Sequence, residues 1–187
     1  MNSKIILASA SPRRYELLKS LGYDFEVIVK ETDEFFDDNL SVYAAIQQVA
    51  LQKCKAVADN YPDHIVIGAD TIVYADGKVL GKPVNDEHAF KILKSLSGKK
   101  HEVISAVAVY YDGKYETFYD VSKVYFKILI DEQINEYICT QEGKDKAGAY
   151  AIQGIGGQLA SHIEGEFDTI VGLPCTKLNK LLKGISK

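Results

Sequence analysis

The chain has 187 residues, 47% of them hydrophobic and 26% charged, with a formal net charge of −4 and an isoelectric point near 5.6. These are the proportions of an ordinary soluble protein with one sizeable core, so a single domain over 1–187 is expected. The acidic balance argues against a protein built mainly to grip nucleic acid, and any basic residues that matter must act locally. Cys54, Cys139 and Cys175 fit neither a disulfide framework nor zinc-ligand spacing, and read as buried thiols in a reducing compartment. With no signal-peptide core and no membrane-length apolar run, a cytoplasmic location is expected.

The first element is a short buried strand, Ile5-Ile6-Leu7-Ala8, which breaks into Ser9-Ala10-Ser11-Pro12-Arg13-Arg14. Ser11 is a natural N-cap and Pro12 suits the first helical position, so a helix runs from here to a stop at Gly22. Strand, tight turn and helix N-terminus beside two arginines make an anion site suited to phosphate, or simply a solvated helix start. Tyr23 to Val29 alternates as a strand and leads into the acidic stretch Glu31–Asp38. Ser41 caps a second helix to about Asn60, whose apolar stripe runs through Ile46, Val49, Ala50, Ala56 and Val57. Lys53 lies on that stripe, and either snorkels to the surface or reaches into a cleft to meet an anion.

His64–Tyr74 is the strongest strand, apolar on both faces and therefore central. Asp70 lies within it, and an unpaired carboxylate there costs several kcal/mol, so either a cation or a metal ion is expected nearby or the residue is a strand-end aspartate pairing a backbone amide. Lys53 is one candidate partner, and Lys82, between Gly81 and Pro83, is another. A turn at Asp76-Gly77 precedes a third helix capped by Asp86 and ending at Gly98. Two long strands, about 102–111 and 115–129, flank Asp112-Gly113 as a hairpin. Asp131 caps a helix to about Gln141, Gly148 to Gly157 reads as a glycine-bent strand and turn, and a last amphipathic helix spans about Pro174 to Leu182.

Helices alternating with a hairpin predict a mixed α/β sheet. Asp70 with Lys53, Lys82, Arg13 and Arg14 suits a highly negative substrate. Glu34 adds a second carboxylate, and with Asp70 it could hold Mg²⁺, which takes one or two carboxylates plus substrate phosphates and water. Such a set can direct water onto a phosphoanhydride. The Gln153 amide presents an acceptor and a donor side by side, matching the edge of thymine or uracil, although a flipped amide also suits cytosine.

Leu7-Ala8-Ser9-x-Ser11-Pro12-Arg13-Arg14, Gly68-Ala69-Asp70-Thr71, Leu80-Gly81-Lys82-Pro83, Leu96-Ser97-Gly98-x-x-His101-x-Val103, Asp145-Lys146-Ala147-Gly148-Ala149-Tyr150-x-Ile152-Gln153-Gly154 and Val171-Gly172-Leu173-Pro174 resemble, in order and spacing, the Maf proteins. The resemblance implies a long mixed, strongly twisted sheet flanked by helices, of the inosine triphosphatase-like (Maf/Ham1-like) kind. It also implies a nucleoside triphosphate pyrophosphatase with a divalent metal, Mg²⁺ or Mn²⁺. Arg13, Thr71 and Gln153 match the marks of the branch acting on dTTP and UTP. The family's proton acceptor maps onto Asp70 and its metal-associated glutamate onto Glu34. Its phosphate-binding lysines map onto Lys53 and Lys82, beside which Ser9, Ser11, Arg13 and Arg14 of the first turn are the remaining phosphate-binding candidates. Ser122 stands where the family usually has threonine. The expected partner is a nucleotide, with neither nucleic acid nor membrane, and a homodimer is common for this fold. The competing reading is a regulatory or nucleic-acid-binding protein linked to septum formation.

Overall fold

The computed structural model describes residues 4–185. In chain order these form β1 (Ile5–Leu7), α1 (Pro12–Ser20), β2 (Phe25–Val27), α2 (Val42–Ala58), β3 (Ile65–Ala75), β4 (Lys78–Leu80), α3 (Asp86–Leu96), β5 (Lys100–Tyr111), β6 (Lys114–Phe126), α4 (Asp131–Cys139), β7 (Ala160–Glu164), α5 (Phe167–Val171) and α6 (Cys175–Ile185). The sheet runs β2-β1-β3-β5-β6-β7, with β4 added beside β3. β1 pairs in parallel with β2 and β3, whereas β3–β4 and β6–β7 are antiparallel. The expected mixed, twisted sheet flanked by helices is therefore present. Among the described residues no helix is long and apolar enough to cross a membrane.

Backbone contacts divide the chain into two compact units, 4–70 with 105–120 and 172–185, and 71–104 with 121–171. In the first, β1 sits between two parallel neighbours, with Ile5 opposite both Phe25 and Ile65. The chain leaves β1 through α1 to one side and reaches β3 through α2 on the other. Leu7, the carboxyl end of β1, thus lies beside Ile67 of β3 where the winding reverses, the kind of place where open α/β sheets bind ligands. The core here is Leu7, Leu18, Ile67, Val107, Val109, Leu173, Leu178 and Leu182 with their neighbours. Gly68 allows α2 to press onto β3, because a Cβ there would lie 2.6 Å from both the Ala50 carbonyl oxygen and the Cys54 nitrogen. The central strand demands that glycine.

The second unit packs α3 and α4 around Val73, Leu93, Leu96, Val124, Phe126, Ile134 and Tyr150. Ser122 is fully buried, and its hydroxyl donates to the Glu166 carbonyl at 2.8 Å, holding the turn that joins β7 to α5. A hydroxyl is what the position needs, and serine supplies it.

Several elements differ from the sequence expectation. Asn85, not Asp86, caps α3: its side chain accepts the His88 N–H at 2.8 Å, leaving Asp86 in the first turn at the positive end of the helix. Asp131 is likewise the first residue of α4, and Gln133 reaches back to the Ile130 N–H at 3.1 Å. The glycine-rich stretch holds two 3₁₀ turns, Ala147–Ala149 and Ile155–Leu159, instead of a strand. Left-handed backbone at Gly148 (φ 72°) and Ala149 (φ 60°) prevents extension there. β2 is confined to the three residues that pair with β1. Cys54 and Cys175 are buried, but Cys139, at the end of α4, is exposed.

His101 is buried on β5, with Nε2 2.7 Å from the Tyr150 hydroxyl and its ring edge-on to Phe126. Burial pushes its pKa down to about 4. An unfolded imidazole takes up its proton near pH 6.5, so the contribution of neutral His101 is complete above that pH and is lost as pH falls toward 4. Urea unfolding between these pH values is expected to show a loss of roughly 3 kcal/mol from this group. His101→Gln is expected to flatten that slope.

Candidate active site

At the carboxyl end of β1 the chain turns through Ser9 and Ser11 into α1. The Ser11 hydroxyl caps the helix by accepting the Arg14 N–H, and Pro12 occupies its first turn. Ser9, which is buried, accepts the Ser11 N–H at 3.3 Å and Arg14 Nη1 at 3.1 Å. Arg14 Nε donates to the Gly172 carbonyl at 2.9 Å. These two anchors fix the guanidinium, which makes it a preformed cationic group. Burial lowers the Arg14 pKa, opposed by the nearby carboxylates of Asp70 and Glu34, with Arg13 adding to the lowering.

On β3, three residues past the Ile67 that pairs with Leu7, stands Asp70. Lys53 reaches it from α2, with Nζ 2.6 Å from Oδ1, and also meets Glu34 at 3.0 Å. Of the two partners foreseen for Asp70, Lys53 is the one found. Its position on the apolar face of α2, with the close helix–strand approach at Gly68, aims the stem inward, so the lysine does not snorkel. The Lys53 and Asp70 side chains are only 19% and 17% exposed, so their attraction is screened less than that of a surface pair.

Gln52 is a residue the sequence reading passed over. Its side-chain amide accepts the Phe35 N–H at 3.0 Å and donates to the Phe35 carbonyl at 3.1 Å. This two-point bond pins the acidic loop one residue from Glu34. The signal was thin: a glutamine next to Lys53 on a helix looks like any solvated side chain. Ser9, Ser11, Arg13, Arg14, Glu34, Lys53 and Asp70 all belong to the first unit.

Thr71, Lys82 and Gln153 belong to the second unit. Lys82 is exposed, and the turn carrying it is tied to the glycine-rich segment by the Gly148 N–H donating to the Gly81 carbonyl at 3.1 Å. Gly148 packs on Val73 of β3, where a Cβ would come within 2.9 Å of a valine methyl. Gln153 is exposed in the turn after Ile152.

No group of three or more His, Cys, Asp or Glu side chains that could by itself hold a metal ion occurs among the described residues. Glu34 and Asp70 nevertheless converge on one cationic point, Lys53 Nζ. Two carboxylates so placed fit a hard divalent ion that draws its remaining ligands from phosphate oxygens and water.

The architecture is that of the Ham1 proteins: a HAM1 protein from Coxiella burnetii matches with a TM-score of 0.52 over 97% of this chain and 99% of that one, at 16% identity. The sequence is more specific. It matches the family described as Maf-like protein over residues 4–185, and the chain belongs to that family. A dTTP/UTP pyrophosphatase of Bacillus cereus is 48% identical over 180 residues, covering 96% of this chain and 94% of that protein. The protein of the same description from Bacillus anthracis is 47% identical over the same shares.

Lys53→Met leaves the Asp70 carboxylate partly buried without its ammonium. Urea unfolding is expected to show a loss of roughly 1–3 kcal/mol. Adding Asp70→Asn to that variant is expected to recover part of it, because the stranded charge is then gone. Strictly additive losses would show that the two side chains do not interact.

Proposed function

We propose that the chain is a nucleoside triphosphate pyrophosphatase that hydrolyses dTTP and UTP, and modified pyrimidine nucleotides, to the monophosphate and pyrophosphate. Its role on this reading is house-cleaning of the nucleotide pool. The observation that carries the reaction type is the carboxylate of Asp70, held by Lys53 and near enough to the fixed Arg14 guanidinium to act on its charge. The choice of base rests on near-half identity with relatives described as dTTP/UTP pyrophosphatases.

The products define the bond that breaks. Water adds its oxygen to the α-phosphorus, the anhydride to the β-phosphate opens, and pyrophosphate leaves. Asp70 takes the proton that the attacking water gives up. Lys53 keeps that carboxylate oriented, and meets phosphate oxygens when they arrive. Ser9, Ser11, Arg13, Arg14 and Lys82 bind the triphosphate, with the positive end of the α1 dipole facing it. Glu34 and Asp70 would hold Mg²⁺ or Mn²⁺, which supplies charge neutralisation to the phosphates. Arg13, Thr71 and Gln153 set the base preference, with the Gln153 amide pairing the edge of thymine or uracil. One catalytic domain spanning the chain, a cytoplasmic location and a homodimer complete the reading. The single family match over residues 4–185 supports the first of these.

Purified protein with Mg²⁺ or Mn²⁺ is expected to release pyrophosphate from dTTP and UTP, to stop on addition of a chelator, and to resume when metal is restored. Absence of pyrophosphate across a panel of nucleotides would overturn the proposal. Asp70→Asn keeps the side-chain shape and is expected to lower turnover by ~10²–10⁴-fold with the fold intact. Near-normal turnover of that variant would remove Asp70 as the proton acceptor.

Gln153→Leu is expected to lower kcat/KM for dTTP and UTP more than for GTP or ATP. A group built to hydrogen-bond a substrate edge is left unpaired by the wrong base, and such discrimination can reach ~10⁴-fold. An unchanged ratio between dTTP and GTP would exclude Gln153 as the base-reading group.

A further inference from the structure

Gln153 sits on an exposed turn, yet an amide can discriminate between bases only if its direction is fixed. Exposed turns do not fix themselves. Residues 151–156 are held by two side chains from the end of α4 and just beyond it, Tyr137 and Glu142. Glu142 Oε1 accepts the Ile155 N–H at 2.9 Å, and Oε2 accepts the Gly156 N–H at 2.8 Å. The buried Tyr137 hydroxyl donates to Oε2 at 3.0 Å and accepts the Ala151 N–H at 3.1 Å. One carboxylate and one phenol thus bond both arms of the turn whose tip carries Gln153.

The glycines of this region follow from the same clamp. A Cβ at Gly154 would lie 1.7 Å from Glu142 Oε1, and one at Gly156 would lie 2.7 Å from the Tyr137 oxygen. The Gly154 backbone has φ −115°, so glycine is there for space and not for a left-handed conformation. On the other side, a Cβ at Gly143 would meet the Ala149 carbonyl oxygen at 2.0 Å, so the chain after Glu142 is pressed against the start of the same segment. Partial burial pushes the Glu142 carboxyl up. The N–H groups of Gly156 and Ile155, the Tyr137 hydroxyl and Lys146 outweigh this and hold it below the usual range. The group is therefore an anion at neutral pH, able to accept all three bonds at once.

We propose that Glu142, supported by Tyr137, is a positioning residue for base selection: it fixes the 151–156 turn and so aims the Gln153 amide at the pyrimidine edge. The proposal rests on the reading of the chain as a dTTP/UTP pyrophosphatase. Glu142 belongs to the second unit and, among the described residues, bonds to the turn and to Tyr137 and not to Glu34, Lys53 or Asp70, so its loss acts on binding and selection instead of the chemical step.

Glu142→Gln is the direct test, since it keeps the length but turns an NH₂ donor toward groups that are themselves donors. Amide hydrogen exchange at Ile155 and Gly156 is expected to accelerate, a readout that does not depend on activity. The KM for dTTP is expected to rise ~10-fold with kcat within a few fold, and the preference for dTTP over GTP to fall ~10-fold. Gly154→Ala, which displaces the carboxylate by contact, is expected to change the preference in the same direction. Unchanged exchange and unchanged preference in folded Glu142→Gln would overturn the proposal, as would a loss confined to kcat. Should Glu142→Gln not fold, Tyr137→Phe decides on the same readouts, with a shift of ~3-fold expected. A wild-type protein that shows no preference for dTTP and UTP defeats the underlying pyrimidine reading, whatever the exchange data say. A wild-type preference that survives Glu142→Gln defeats only the role of Glu142.

Discussion

The contact between Lys53 and Asp70 is the constraint around which the site is arranged. Asp70 follows five buried residues of the central strand, Ile65 to Ala69, so its carboxylate has to be matched from outside the sheet. The match comes from α2, and it needs the helix close enough for the short reach of a lysine. Gly68 provides that closeness, two residues before Asp70, by letting the helix backbone touch the strand. Moving α2 outward by the thickness of a methyl group would disturb both the core and the ion pair. The ammonium also gathers Glu34, whose loop is held by Gln52 from the same helix. One helix–strand contact therefore fixes three charged groups.

Part of this was legible in the sequence because it is local chemistry. Ser11 followed by Pro12 marks a helix start, and an apolar run through Gly68 and Asp70 marks a central strand with an acid that needs a partner. Two Asp-Gly pairs mark turns, and both aspartates are found in left-handed conformation, at φ 49° for Asp76 and 47° for Asp112. The motifs in sequence then named the family, which the match over residues 4–185 bears out.

What the sequence hid depends on distant partners. Asn85 and Asp86 are both good caps, and only the bond to the His88 N–H shows which one acts. The stretch from Gly148 to Gly157 carries apolar residues that look like a bent strand. Left-handed backbone bends its start, and from Ala151 to Gly156 the bonds of Glu142 and Tyr137, which lie outside the stretch, take N–H groups that a sheet would use. β7 and α5 were missed because Ala160–Glu164 carries no clean alternation and Phe167–Val171 spans only five residues. A periodic signal cannot accumulate over so short a run.

The two units also use their acids differently. In the first, Asp70 and Glu34 face the Lys53 ammonium, a side-chain charge that can change partners. In the second, Glu142 faces backbone N–H groups and a buried phenol, which cannot leave. Charge matched by side chains is available for chemistry, whereas charge matched by backbone is committed to shape. On the proposed reading the same functional group serves reaction at Asp70 and Glu34 and geometry at Glu142, and the distinction lies in what each carboxylate is bonded to. A substitution on the first set acts chiefly through electrostatics, and one on Glu142 through the path of the chain. On the proposed reading, that separation lets the 151–156 turn vary without disturbing Asp70, Glu34 and Lys53, which, among the described residues, share no bond with Glu142.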